Sequence, residues 1–221
     1  MGIRRREQVA ADVLTKVKRY PQRASYDKEL LLDILKNGFA CHVAFQVDGQ
    51  PFIIPMMYYN DSNYIYLHGS PVARIIGTFQ AGNPIAISIL ELKGLVLAKG
   101  IASNSMNYRS VVIFGRPEEL VTEEEKLSFV SEWIDRLVPG RKENAELPNH
   151  DELGGVSVFR VKLDKFSVKE RKGGTSEVRK NPEVWSGVIP LVTRFLHPEF
   201  ASNPKTPEHV KKFIDARNSL K

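Results

Sequence analysis

Phe39-Ala40-Cys41-His42-Val43-Ala44-Phe45-Gln46-Val47-Asp48-Gly49 alternates strictly and then stops. Phe39, Cys41, Val43, Phe45 and Val47 share one side of an extended chain, and Ala40, His42, Ala44 and Gln46 share the other. That period of two belongs to a half-buried β-strand. Asp48-Gly49 supplies the two-residue connection whose backbone twist matches that of paired strands. The stretch predicts a hairpin whose return strand runs from Pro51 to Tyr59.

Working outward, Asn60-Asp61-Ser62-Asn63 is a second turn, and Tyr64 to His68 reads as a third strand, giving an antiparallel meander. Ser70 and Pro71 are placed as N-cap and first residue of a short helix ending near Gly82. Ile85 to Leu92 and Leu95 to Ala102 flank Lys93-Gly94. Arg109 to Phe114 and Val156 to Leu163 are further strands, about six in all. Thr122-Glu123-Glu124-Glu125 is a capping box that opens a helix through Leu127, Val130, Ile134 and Leu137, which Pro139-Gly140 ends.

Towards the N-terminus, Asp27 caps a helix carrying Leu30, Leu31, Ile34 and Leu35 on one face, with Gly38 as its stop. Val9, Val13, Leu14 and Val17 predict an earlier helix over residues 5–19. Towards the C-terminus, Arg141 to Gly155 and Arg171 to Pro182 read as surface loops, and Thr206-Pro207-Glu208 starts a last helix. Short, closely spaced strands with helices only between and around them make the fold mainly β. The expectation is an antiparallel β-barrel, closed or split, in one domain over residues 1–221, with helical extensions at about 5–37 and about 183–221. A parallel doubly wound sheet would need a helix after each strand.

Composition narrows the class. The 221 residues are 42% hydrophobic and 26% charged, enough for a sizeable core. The longest apolar runs fall well short of the roughly 20 residues that cross a bilayer, so no membrane association is expected. Glu7, Gln8 and Asp12 interrupt any apolar run after the basic start Met1 to Arg6, pointing to a cytoplasmic or nucleocytoplasmic protein. Cys41 is the single cysteine, so no disulfide and no multi-thiolate metal site can form within the chain. The net charge of +6 suits an anionic partner. Its basic residues gather at the two ends without interleaved aromatic residues, which argues for solvated helices and against nucleic acid.

His68-Gly69-Ser70-Pro71-Val72-Ala73-Arg74 is the segment with the most chemistry. A hydroxyl and a helix start stand at the mouth of a strand, with an arginine one turn on. Such a corner can receive a phosphate, and an ordinary capped helix looks the same. His42, His68, His150, His197 and His209 have no metal spacing, and no metal site is expected. Neither a nucleophile elbow nor a P-loop is present.

The strings Phe39 to Phe45, Asp48 to Met56 and Tyr64 to Gly69 together resemble the pyridoxamine 5′-phosphate oxidase-like FMN-binding split barrels, in particular the nitroimidazole-resistance-type flavoproteins. The likeness covers residues 24 to 120 well and extends loosely to Val184 to Pro190. It implies a homodimer with FMN at the subunit interface. The flavin ring would meet Ile53, Ile54, Pro55 and Met56; His68, Ser70 and Arg74 would hold the phosphate. Arg109 and Ser110 on the next long strand would reach the cofactor, and Trp185 would form an aromatic wall, from the second subunit if not from the first. Exposed Ile54, Met56 and Tyr58 are expected to make the dimer face. Two departures argue against vitamin B6 oxidase activity: Ile75 stands where many relatives carry lysine, and Phe52 where the oxidases carry a basic residue. The resemblance implies an FMN-dependent oxidoreductase with a small-molecule substrate. A non-enzymatic flavin-binding sensor or interaction module, and a haem-binding split barrel, stay open as alternatives.

Overall fold

A computed structural model describes residues 8–176, 180–199 and 205–219. The basic start Met1 to Arg6 lies outside them. Among the described residues ten strands form one antiparallel sheet: β1 (Ala24–Ser25), β2 (Ala40–Val47), β3 (Gln50–Asn60), β4 (Tyr64–Gly69), β5 (Ile85–Leu97), β6 (Ser105–Gly115), β7 (Glu118–Leu120), β8 (Ser157–Lys162), β9 (Phe166–Arg171) and β10 (Gly187–Pro190). Their order is β1-β9-β6-β5-β2-β3-β4-β8-β7, with β10 beside the far end of β5. β8 and β9 follow one another in sequence but pair with β4 and β6 respectively. The sheet therefore curls until the short 163–165 turn joins its two flanks, which makes a barrel that is split between β8 and β9.

The opening hairpin forms as its residues dictate. Asp48 and Gly49 have φ of 50° and 81°, the left-handed pair that a two-residue turn requires. Val47 pairs with Gln50, and the register then runs through Val43 against Ile54 and Cys41 against Met56. Cys41, Val43 and Phe45 point into the core with Ile65, Leu67, Ile87, Val111, Ile113 and Phe166. Burial pushes the Cys41 thiol up to about 12 and leaves it an unreactive core group.

Because Cys41 faces inward, so do its partner Met56 and the neighbours Ile54 and Tyr58. Tyr58 is buried and donates its hydroxyl to Leu35 O at 2.9 Å. The dimer face assigned to Ile54, Met56 and Tyr58 is thus corrected. Ile53, Pro55 and Met57 are the residues β3 turns outward, and Ile53 is 67% exposed.

Helices cover the two ends and one flank. α1 (Lys28–Asn37) starts where Asp27 accepts from the backbone N–H groups of Glu29 and Leu30, and its buried Leu31, Ile34 and Leu35 plug one end of the barrel. α2 (Arg74–Gln80) buries Ile75, Ile76 and Phe79. α3 (Glu123–Leu137) has the expected Thr122–Glu125 capping box and lays Phe129, Val130 and Trp133 over Tyr59 and Tyr66 on the outside of β3 and β4. α4 (His150–Gly154) has a box of its own, Asn149 with Glu152, inside the stretch expected to be only loop. α5 (Glu208–Ser219) is the C-terminal helix.

Three further expectations are corrected. Residues 8–19 form no helix. Asp12 caps a single turn, its Oδ1 accepting from the N–H groups of Leu14 and Thr15, but the Tyr26 hydroxyl takes the Val17 N–H at 3.1 Å, the donor the next helical bond would need, and Val13 is left 93% exposed. The two runs around Lys93-Gly94 are one strand with a bulge at Lys93, which swaps the inward face from Ile85, Ile87 and Ile89 to Gly94 and Val96. Gly94 does not turn the chain. It admits β10, since a Cβ there would lie 2.8 Å from Ile189 O. The same long strand pairs β6 from Ser105, four residues before the expected start. α2 begins at Arg74 rather than Pro71, because Ala73 N–H closes a turn onto Ser70 O at 2.9 Å and the helix starts only after it.

Candidate functional site

The outer face of the sheet is the surface on which the flavin-contact residues converge. Register lines up Pro55, His42 and Ser88 across β3, β2 and β5, and likewise Ile53, Ala44 and Ala86. Beyond them on β5 stand Leu90 and Leu92, 54% and 42% exposed. A strand face of this polarity is unusual for a surface left in water. Of the four β3 residues expected to meet a flavin ring, Ile53 and Pro55 offer side chains to this face, whereas Ile54 and Met56 point inward and offer only their backbone.

The corner between β4 and α2 lies at the Phe52 end of β3, where Phe52 has the inward parity of Ile54 and packs against the core. Arg74 is exposed, spreads its guanidinium 4.6 Å above the Phe52 ring and has no carboxylate partner among the described residues. Phe52 is itself stacked on Phe45, with centroids 5.5 Å apart, so the platform beneath the arginine is fixed. Ser70 is exposed beside it. α2 has only seven residues, so its dipole contributes little, and the side chain of Arg74 is the main cationic group here. Phe52, noted from sequence only as a missing basic residue, holds the arginine in place.

His68 is adjacent in sequence but turned elsewhere. Its ring lies under α3, 4.7 Å from Trp133 and 5.8 Å from Phe129, and its buried Nδ1 has no hydrogen-bond partner among the described residues. The phosphate role given to His68 is corrected on that ground. The i, i+4 spacing of Phe129 and Trp133 was the available signal, since side chains so spaced share a helix face. Burial pushes the His68 pKa below its ordinary 6.5. As pH falls through that ordinary value the unfolded chain takes up a proton that the folded chain resists. Stability should therefore drop as pH falls below about 7, and His68→Phe should remove part of that slope in urea unfolding.

Arg109 is also committed, to other groups. Its Nε donates to Glu91 at 2.6 Å and its NH1 to Asp33 of α1 at 2.5 Å. Burial disfavours its charge, but the two carboxylates outweigh that and hold its pKa above the ordinary value. It shares the inward parity of Val111 and ties β5 and β6 to α1, so the cofactor contact expected of it is corrected to a structural one. Ser110 lies on the outer face opposite Leu90, with its hydroxyl 3.4 Å from Lys169 O. Trp185, two residues before β10, is 65% exposed. Gly187 pairs with Leu97, nine residues along β5 from Ser88, or about 30 Å at roughly 3.3 Å per residue. Within one chain Trp185 does not meet the Ile53–Pro55 face.

Among the described residues no group of three or more His, Cys, Asp or Glu side chains is placed to hold a metal ion, and no helix is long and apolar enough to cross a membrane.

This curled antiparallel sheet with its open outer face is found in known proteins. The family model of pyridoxamine 5′-phosphate oxidase matches residues 27–170, and the chain belongs to that family. Among solved structures, it is similar to the flavocytochrome Anf3 from Azotobacter vinelandii, with 29% identity and a TM-score of 0.82 over 91% of this chain and 97% of that one. It is also similar to an FAD and haem binding protein from Mycobacterium smegmatis, with 26% identity and a TM-score of 0.79 over 87% of this chain and 97% of that one. A protein assigned to 5-nitroimidazole antibiotic resistance in Bacteroides thetaiotaomicron shares the fold at 23% identity, with a TM-score of 0.56 over 66% of this chain and 85% of that one. No curated protein matches.

Proposed function

We propose that this protein is a flavin-binding redox protein acting on a small molecule, with FMN held between two copies of the chain. The observation that carries the reading is an exposed Arg74, without a carboxylate partner among the described residues, at one end of the strand whose outward side is apolar. Bound flavin supplies the redox chemistry, while the protein supplies position and electrostatics. Ile53 and Pro55, with the backbone of Ile54 and Met56, would carry the ring, and Ser70 and Arg74 the phosphate. FMN is favoured over FAD because this corner offers one arginine for one phosphate. Freshly purified protein should show a flavin spectrum, and flavin released by denaturation should run as FMN on chromatography. Colourless protein that fails to take up added FMN or FAD would sink the reading.

A second reading adds haem to the flavin. It is favoured by the two relatives above, each covering about nine-tenths of this chain, of which one is a flavocytochrome and the other binds FAD and haem. A Soret band in the same spectrum distinguishes it from flavin alone.

The apolar face and the position of Trp185 support the dimer reading. Ile53, Met57, Leu90 and Leu92 need a cover, and a second chain supplies one by two-fold symmetry. That second copy is also the route by which Trp185 would reach a flavin. Sedimentation should give a species of twice the chain mass; a monomer both with and without FMN would overturn the dimer.

A further inference from the structure

At the opposite end of β3 from Arg74, a narrow crevice lies between α1, β3 and α3, bounded by Phe39, Tyr58, Tyr59, Trp133 and Arg136. Phe52 and Tyr59 are seven residues apart on one strand, or about 23 Å at roughly 3.3 Å per residue, so the crevice is separate from the β4–α2 corner. The C-terminal helix brings a second arginine to it. Arg217 lies 4.6 Å over the Phe39 ring and 3.4 Å from Asn37 Oδ1. Neither Arg136 nor Arg217 has a carboxylate partner among the described residues. The acids in this region are engaged elsewhere: Glu91 and Asp33 with Arg109, Glu132 with Lys142, and Asp135 with the N–H of Gly140. Both guanidinium groups are half-buried, and burial together with the charge of Arg136 pushes the Arg217 pKa down.

Both arginines border Phe39, so two like charges stand near one another beside aromatic rings, and among the described residues no carboxylate pairs with either. α5 is otherwise lightly held. It buries no residue fully, and it is fastened by Phe195 against Phe213, with centroids 5.0 Å apart, and by Asn218 bonded to the Phe195 backbone at 2.8 Å. We propose that Arg136 and Arg217 are an anion site taking a carboxylate or phosphate head group, and that the bound anion clamps α5 onto the barrel. The crevice itself has room for no more than about one water, about 10 Å³, so the head group would sit at its mouth beside Arg136 and Arg217. Guanidinium is suited to that head because its parallel N–H donors match two oxygens at once.

The test is amide hydrogen exchange of residues 208–219 in the full chain, with inorganic phosphate and with benzoate, each against chloride at matched ionic strength. At about ten times its Kd, the effective anion should slow exchange roughly tenfold by linkage. The slowing should vanish in Arg136→Gln and in Arg217→Gln, and persist in Arg74→Ala, which separates this site from the β4–α2 corner. Trp133 emission in a Trp185→Phe background gives a second readout that needs no arginine variant, and the effective anion should change it. Slowing by neither anion, slowing retained in either glutamine variant, or slowing without a change in Trp133 emission would each overturn the proposal.

Discussion

Arg74→Ala should weaken FMN binding ten- to a hundredfold and leave riboflavin binding unchanged. The reason is local. The guanidinium sits over Phe52 with no carboxylate partner among the described residues, so its removal breaks no ion pair described there. A charge-assisted hydrogen bond to a phosphate contributes about 1.5–3 kcal/mol, which is that range of affinity. Riboflavin lacks the phosphate and reports the ring contacts alone, including those of Ile53 and Pro55. Titrating apo-protein with both ligands, with Arg141→Ala as control, makes the comparison. Equal FMN affinity in variant and parent would remove Arg74 from the site; a parallel loss of riboflavin would show that the arginine supports the fold instead.

Arg109→Ala should do the reverse, costing stability rather than cofactor. Its guanidinium joins Glu91 of β5 to Asp33 of α1, and the Glu91 side chain is only 12% exposed. Without Arg109, Lys93 at 3.4 Å is the cation left to Glu91. Leaving a mostly buried carboxylate so poorly paired should cost about 3 kcal/mol, read as a lower urea midpoint with an unchanged slope. The double variant Arg109→Met with Glu91→Met should recover much of the loss, because replacing both charges by apolar groups removes the unpaired one. FMN affinity measured well below the midpoint should stay within a few-fold of the parent, roughly the scatter expected for a site not touching the ligand. A large loss of FMN affinity at unchanged stability would return Arg109 to the cofactor.

The two arginines show where reading a sequence stops. Arg74 follows a strand and a turn within a few residues, so local order placed it correctly at the mouth of β4. Arg109 lies on the strand expected, but its partners Asp33 and Glu91 stand 76 and 18 residues away. Which face an arginine takes, and what awaits it there, is a property of the assembled sheet.

The direction of β3 lies between these cases. Phe52, Ile53, Ile54 and Met56 are apolar on both sides, so alternation alone gives no phase. The phase was nevertheless present in the sequence, because a two-residue turn at Asp48-Gly49 forces Cys41 opposite Met56, and the strict alternation of β2 puts Cys41 inside. The inward turn of Ile54, Met56 and Tyr58 follows from that register.

What the sequence determined by itself were features whose causes span a few residues. These are the Asp48-Gly49 turn, the Asp27 and Thr122 caps, the alternation of β2 and the apolar face of α1, each set by side chains acting on their own backbone. Residues 8–19 do not follow their apolar spacing, because the Tyr26 hydroxyl takes the Val17 N–H and stops the turn that Asp12 begins. The tertiary structure alone decided the bulge that lets one strand serve two faces and the burial of His68 under α3. It also decided the ion pairs of Arg109 and the separation of Trp185 from β3 within one chain. Each of those depends on groups far apart in sequence meeting in one low-dielectric place, where desolvation and pairing outweigh local preference, and no window of neighbouring residues contains that information.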